Sequence, residues 1–519
     1  MTRNLGRIFR AGVGIALALP WAGCFLSQSS TVPDVSEPSQ EGGPSGNGFG
    51  PIVRARNQRE VEVELVARYA DNKIGTAPVR LRSYNGGLVG PTLRLRPGDT
   101  LNVHLINRLP PAPSAPTVHV SLNDTNLHFH GLHVSPAGNS DNVLLRIRPG
   151  QDFHYEIKVP RDHPAGTYWY HPHTHGSTSI QVGSGMAGAL IIEGDIDRVP
   201  EIAAAKEKIF VLEQIQYSRP TSDRPGLVEN FNAFLPGAWD LSGRRTIVNG
   251  ELEPIIEMHP GEVQRWRYID AGIMEALRMK IEDQDGKPVP QHAIAFDGIT
   301  TGRIDAEPYI QLYPGYRTDV LVRAGDQEGD YQLVDDSTGP LESLHLLSEE
   351  RNLIARIRVR GRKVDMGLPS SAELAPLAPF KPVQDAEIGG TQKVEFSIVP
   401  MLNPLGLAFQ VDGSTFRMDE TPRHLVLGAA EEWLVSSGFA EGHTFHIHVN
   451  PFEVIEPGGK RYWKDTIFVP PLKTLRLRTR YDRYIGTYVL HCHILSHEDL
   501  GMMQLVEVSL PGDPMHEDH

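Results

Sequence analysis

The stretch His491-Cys492-His493-Ile494-Leu495-Ser496-His497-Glu498-Asp499-Leu500-Gly501-Met502-Met503 sets one of only two cysteines between two histidines, with a third histidine and a methionine just downstream. On a strand, successive side chains face opposite sides, so Cys492 would face one way and His491 and His493 the other. One segment can then serve two metal centres. A thiolate, imidazoles and a weakly held thioether form the ligand set of a blue-copper electron-transfer centre, with His497 and Met502 supplied by the loop that follows. That set still needs a second imidazole from elsewhere in the chain.

Three further clusters offer one: His128-Phe129-His130, His171-Pro172-His173 and His443-Thr444-Phe445-His446-Ile447-His448. Each contains His-x-His, which puts two imidazoles on one face of a strand, roughly 6.5 Å apart, where they can straddle neighbouring copper ions. A lone His-x-His is more often a surface feature, a satisfied core pair or a zinc site. Four clusters around a single Cys-His-Met set point instead to copper. Twelve of the 22 histidines lie outside these positions, so spacing rather than histidine richness carries the inference.

In chain order the four signatures are His128-Phe129-His130-Gly131, Trp169-Tyr170-His171-Pro172-His173, His443 to His448, and His491-Cys492-His493 through Met502. Together they resemble the signatures of the multicopper oxidases, the family of laccases, bilirubin oxidases and bacterial cuprous oxidases. The resemblance spans residues from about 50 to 508. It implies an all-β chain of three tandem cupredoxin-like Greek-key sandwiches, and four copper ions. By motif, His443, Cys492 and His497 would bind the type 1 copper, with Met502 as weak axial ligand. His128 and His446 would bind the type 2 copper. His130, His171, His173, His448, His491 and His493 would hold the type 3 pair.

Reducing dioxygen to water takes four electrons, whereas a type 1 centre accepts one at a time, so the resemblance implies a store fed through Cys492 and its neighbours His491 and His493. Four protons must arrive as well. Glu498 and Asp141 occupy positions resembling the family's acidic residues near the trinuclear site, and a carboxyl can serve as general acid there. Each has a plainer reading: Asn139-Ser140-Asp141-Asn142 is also an ordinary turn, and Glu498 could be solvated. His133, His175 and His424 fall out of ligand register and read as structural or supporting residues, while His516 and His519 sit in the tail.

Two departures from the family pattern bear on the donor. Thr444 stands where a proline usually follows the first histidine of the third motif, which alters the surroundings of the type 1 site. The run Phe439-Ala440-Glu441-Gly442 lacks the Met and Asp of bacterial cuprous oxidases, and no methionine-rich insertion occurs among the 11 methionines. The expectation is therefore a laccase-like enzyme oxidising phenols or aromatic amines. The alternative is a metallo-oxidase acting on Cu(I), Fe(II) or Mn(II). A non-catalytic copper carrier would not need a complete ligand set, and a copper nitrite reductase would not need six type 3 histidines.

These residues need a scaffold. The chain of 519 residues carries 50 glycines and 41 prolines, which suits a turn-rich β protein of two to four domains. Short alternations such as Leu93-Arg94-Leu95-Arg96 and Leu475-Arg476-Leu477-Arg478 are broken by Pro-Gly or Asp-Gly. A weak repeat recurs three times. Leu93 to Asp99 is echoed by Ile256 to Glu262 and by Leu425 to Glu431; Gly166-Thr167-Tyr168 is echoed by Gly329-Asp330-Tyr331 and Gly486-Thr487-Tyr488. The first and third copies run into His171-Pro172-His173 and His491-Cys492-His493, the second into Gln332-Leu333-Val334-Asp335-Asp336. The ligands should therefore sit between domains 1 and 3, with domain 2 as a ligand-free bridge. Expected boundaries are 51–197, 198–362 and 385–511, with a Pro/Ala/Ser-rich linker over 363–384, a loop insertion at 110–117 and a tail over 512–519.

Arg3, Arg7 and Arg10 precede an apolar run from Ala11 to Ala22, the layout of an export signal over residues 1–23, and too short to span a membrane comfortably. Trp21-Ala22-Gly23-Cys24 resembles a bacterial lipoprotein cleavage box, and the Ser/Pro/Gly-rich residues 24–50 read as a flexible tether from a lipidated Cys24. Ordinary cleavage and secretion is the alternative. Removing residues 1–23 takes the formal charge from -14 to -17, which argues against a nucleic-acid partner. The expected partners are dioxygen and a small organic or metal-ion donor, in an exported, periplasmic or cell-surface monomer.

Overall fold

The computed structural model describes residues 52–54, 59–114, 120–230, 245–344, 350–401, 406–438 and 441–513. The export signal, Cys24, the tether and the histidines of the tail lie outside the described residues. Within them the apolar alternation becomes six sheets. In the strand Thr100–Asn107, for example, Leu101, Val103 and Leu105 are buried while the residues between them face outward, as a half-buried strand requires.

The sheets pack in three successive pairs, the three cupredoxin-like domains. In the first domain a five-stranded sheet runs in the order Ile52–Arg54, Thr92–Leu95, Gly188–Ile192, Gly166–His171, His128–His130. It faces a four-stranded sheet of Ala77–Tyr84, Glu60–Ile74, Thr100–Asn107 and Asp152–Lys158. In the third domain a five-stranded sheet of Arg423–Val426, Met503–Ser509, Gly486–Cys492, His443–Ile447 and Thr466–Val469 faces a six-stranded one. The middle domain, strands Lys206–Gln214 to Asn352–Val359, has two six-stranded sheets. Gly166, Gly329 and Gly486, the recurring glycines of the sequence repeat, each open a strand. The outer two of those strands end in histidine or cysteine; the middle one ends in Asp335.

Polar contacts, some of them buried, connect the domains. Asp319 accepts hydrogen bonds from Thr167 Oγ1, Arg265 and Arg267, locking the first domain to the second. Part of the segment read as a linker is ordered: Ser370 caps a one-turn helix, Ser371–Leu374, by accepting from the Glu373 N–H. Leu374 is buried, and Ser371 Oγ accepts from the Ile304 N–H of the middle domain. Among the described residues no helix is long and apolar enough to cross a membrane.

Candidate metal centre

The ligand-bearing strands meet because of their positions in the two outer domains. His128–His130 pairs antiparallel with Gly166–His171, setting His128 opposite His171. In the third domain His446 stands opposite His491, and Phe445 opposite Cys492. The two faces then interleave. The His128 ring stacks on His448 with centroids 4.0 Å apart, and His130 stacks on His446 at 4.0 Å. His493 Nε2 lies 3.2 Å from His130 Nδ1, and His173 Nε2 lies 3.2 Å from His491 Nε2. Ligand atoms of His128, His446 and His448, of His128, His130 and His171, and of His173, His448 and His491 lie within 4.8 Å of one another in each group.

The outward nitrogens of these rings are anchored, which fixes which nitrogen points inward. His446 Nδ1 donates to the Asp465 carbonyl at 2.7 Å and His171 Nδ1 to the Pro172 carbonyl at 2.8 Å. His128 Nδ1 is held by both carboxylate oxygens of Asp141, at 3.0 and 3.1 Å. The Nε2 atoms of His128, His171, His446 and His448 are left buried without a hydrogen bond. Burial drives these imidazoles to their neutral form: His173 and His491 are pushed down to about 4 and His446 to about 3. Orphaned buried polar atoms are costly. A cage of neutral imidazoles with converging lone pairs fits copper, whose binding needs unprotonated nitrogens.

The second group lies on the other side of the same strand. Cys492 Sγ is 3.7 Å from His443 Nδ1 and 3.9 Å from His497 Nδ1. Met502 is buried; its N–H donates to the His497 carbonyl at 2.9 Å, and its carbonyl accepts from Cys492 at 3.0 Å. Burial raises the Cys492 thiol to about 12 and lowers His443 to about 3, a mismatch that a coordinated cation removes by holding the sulfur as thiolate. Of the four residues only His497 approaches the surface, 8% exposed against 2% for His443 and none for Cys492 or Met502.

The two carboxyls read from the sequence are both buried beside the histidine cage. Asp141 also accepts from the Phe129 N–H at 3.0 Å, and burial raises it to about 8. Glu498 follows His497 in the chain, yet adjacent helical residues do not share a face. Its Oε2 lies 3.1 Å from His491 Nδ1 and its Oε1 3.5 Å from His173 Nδ1, with burial raising it to about 7. Beside His173 an apolar cavity of about 480 Å³ is lined by Val143, Leu145, His175, Phe416 and Met503. His133 Nδ1 bonds the Val449 carbonyl at 2.9 Å and His424 lies 3.4 Å from Glu507.

Several supporting residues carry no signal in the sequence. Asp465 Oδ1 lies 3.3 Å from His130 Nε2 and is gripped by both terminal nitrogens of Arg317, at 2.7 and 2.6 Å. Gly131, with φ +86, leaves the room: a Cβ there would run into Arg317 and Asp465. Asp499 accepts from the N–H groups of Gly176, Thr178 and Ser179 and from Ser179 Oγ, tying the third domain's ligand loop to the first. Glu441 Oε1 lies 3.4 Å from the outer nitrogen of His497, and burial lifts its carboxyl to about 7.

Family models described as multicopper oxidase match residues 66–196 and 383–511, together half of the chain. The chain belongs to the multicopper oxidase family. It is 25% identical to the multicopper oxidase mco of Staphylococcus aureus, over 82% of this chain and 83% of that one. It is also 25% identical to the laccase of Bacillus subtilis, over 89% of this chain and 96% of that one. Among solved structures it is similar to the multicopper oxidase from Campylobacter jejuni described as a metallo-oxidase, with a TM-score of 0.71, 25% identity, and coverage of 88% and 94%. As a multicopper oxidase it is a copper-dependent oxidoreductase that uses dioxygen and an electron donor.

Proposed function

We propose that this multicopper oxidase takes single electrons from small organic donors, phenols and aromatic amines, and spends four of them on reducing one dioxygen to two waters. The observation that carries this reading is the surface approach of His497, joined through Cys492 to the buried cage. Bound copper would supply the one-electron redox steps that no side chain here can perform. His443, Cys492 and His497 with Met502 would hold one ion. His128 and His446 would hold a second, and His130, His171, His173, His448, His491 and His493 a pair. That makes four per chain.

The chain's own residues do the rest. Softer sulfur ligands suit an ion that shuttles between Cu(I) and Cu(II), and imidazoles suit the cage. His497, the ligand nearest the surface, would give the donor's electron a path to the ion held with Cys492, and the peptide flanking Cys492 would carry it on toward His491 and His493. The carboxyls of Asp141 and Glu498, buried and shifted upward, would hold protons near neutrality for delivery to the cage. The apolar cavity beside His173 would offer dioxygen a way to the cage.

A second reading, oxidation of Cu(I), Fe(II) or Mn(II), is favoured by Glu441, a carboxyl 3.4 Å from His497 Nε2, where a cation would be attracted. Steady-state turnover of a phenol and of each metal ion on one preparation separates the two. Faster metal oxidation without an added organic donor would sink the first. We further propose export under the signal at residues 1–23, a lipid tether through Cys24, a monomeric state, and the domain limits read from the sequence.

A further inference from the structure

We infer a second kind of metal site, on the outer face of the first domain's four-stranded sheet and apart from the copper cage: His104, Asp152 and His154 form an open site for one divalent transition ion such as Zn(II) or Cu(II). The strand register builds it. Thr100–Asn107 and Asp152–Lys158 pair antiparallel with His104 directly opposite His154, and the alternation that buries Val103, Leu105 and Tyr155 turns both histidines outward. Their rings lie parallel, centroids 4.1 Å apart and 7° between planes. Asp152 Oδ2 stands 2.8 Å from His104 Nε2 and 3.9 Å from His154 Nε2. The ligand atoms of all three residues lie within 4.8 Å of one another.

The geometry suits a small ion. With metal–ligand bonds of about 2.0–2.2 Å, a tetrahedral site has ligand atoms roughly 3.3 Å apart. The two Nε2 to Oδ2 separations bracket that value; the parallel rings aim their lone pairs along planes that do not meet, so the exposed His154 ring must turn about its side-chain bonds to point its Nε2 at the ion held by His104 and Asp152. The opposite nitrogen of His104 is also provided for: Glu64, its neighbour on the parallel strand Glu60–Ile74, puts Oε2 3.8 Å from Nδ1. At that distance the carboxylate makes no hydrogen bond but adds negative charge behind the imidazole. The surrounding groove, about 530 Å³, also takes in Glu62 and Glu156, so its field favours a cation. Two imidazoles and one carboxylate are the donor set of open zinc sites, and they bind Cu(II) more tightly still.

The test uses the copper-loaded full-length protein and Zn(II) as probe. Isothermal titration should detect one Zn(II) per chain that is absent in the double variant His104→Ala/His154→Ala. Asp152→Asn should weaken that binding by about tenfold or more, the scale of losing one metal-supporting group. Retention of the blue band in each variant shows that folding and the copper centres are intact. Equal stoichiometry and affinity in wild type and double variant, or no binding by the wild type, would overturn the assignment.

Discussion

Arg317 is the residue whose loss should expose how the middle domain supports the histidine cage. Its side chain is fully buried and all its donors are used. Nε donates to the Thr167 carbonyl of the first domain at 3.2 Å. Nη1 reaches the Gly315 carbonyl at 3.1 Å, and Nη2 the Asp297 carbonyl at 3.0 Å, both within its own domain. The same two nitrogens hold Asp465 of the third domain bidentately, the geometry that makes an Arg-carboxylate pair strong. In Arg317→Met the Asp465 carboxylate keeps its burial and loses its countercharge. Lys464 stays engaged with Asp297, 3.1 Å away, and does not replace it. Breaking a buried pair from one side costs about 3–5 kcal/mol, a large part of the roughly 5–15 kcal/mol by which domains are stable. Asp465 also fixes His446 through its carbonyl and lies beside His130, so the damage should concentrate in the cage. Copper per chain should fall while the blue band persists, and the denaturation midpoint of the copper-free protein should drop. A variant with full copper content and an unchanged midpoint would refute the reasoning. Arg317→Lys should fall between, because a point charge cannot reproduce the fork.

Cys492→Ser should abolish the blue band and donor oxidation together, read by visible absorption and oxygen consumption on one sample. His130→Ala should keep the blue band and stop dioxygen reduction, so that donor electrons reduce the band without being discharged. Glu498→Gln should slow oxygen consumption about a hundredfold or more, the scale of losing a positioned acid, with copper content unchanged by elemental analysis. Above pH 7, where the Glu441 carboxyl is ionised, Glu441→Gln should raise KM for a cationic donor about fivefold, from about 1 kcal/mol of attraction, an effect that fades as pH falls below 7, and leave KM for a neutral phenol as it was.

What the sequence could reveal follows from how local each feature is. His-x-His and His-Cys-His are three-residue patterns that begin on strands; the pleat sets the facing of the residues inside the strands, while His173, His448 and His493 lie just past the strand ends, and the ten histidines do converge in two buried groups. The tripled glycine landmark marked the strands that carry them. Glu498 was ambiguous because its position on a one-turn helix, Leu495–Asp499, decides which centre it faces, and one turn leaves no periodicity to read. Arg317, Asp465 and Asp499 were illegible for a different reason. Each acts across a domain boundary on residues 148 to 335 positions away, and a single charged residue on a strand or loop carries no mark of its distant partner. The ordered turn at Ser371–Leu374 was hidden by composition: proline and alanine around it read as irregular chain, while Ser370 and Glu373 supplied a capping box.

The pairing of Gly486–Cys492 with His443–Ile447 must be held without slippage, because a shift of one residue would turn Cys492 into the cage and His491 away from it. A strand with one apolar face resists such a slip by burying that face. Here both faces carry ligands, and hydrophobic patterning alone gives less protection. Main-chain hydrogen bonds beyond the strand end supply it. His493 N–H donates to the Thr444 carbonyl at 2.6 Å, and two residues on, Leu495 N–H donates to the carbonyl of Ile273 in the middle domain at 3.1 Å. Gly315, also of the middle domain and at φ +91, packs its bare α-carbon against the His493 ring, where a Cβ would approach to 3.1 Å. The Tyr316 hydroxyl accepts from Phe468 N–H at 2.6 Å, pinning the strand on the other side of His443–Ile447. The middle domain thus clamps the register of the strand on which both metal groups depend, so loosening these contacts should lower copper content as well as stability.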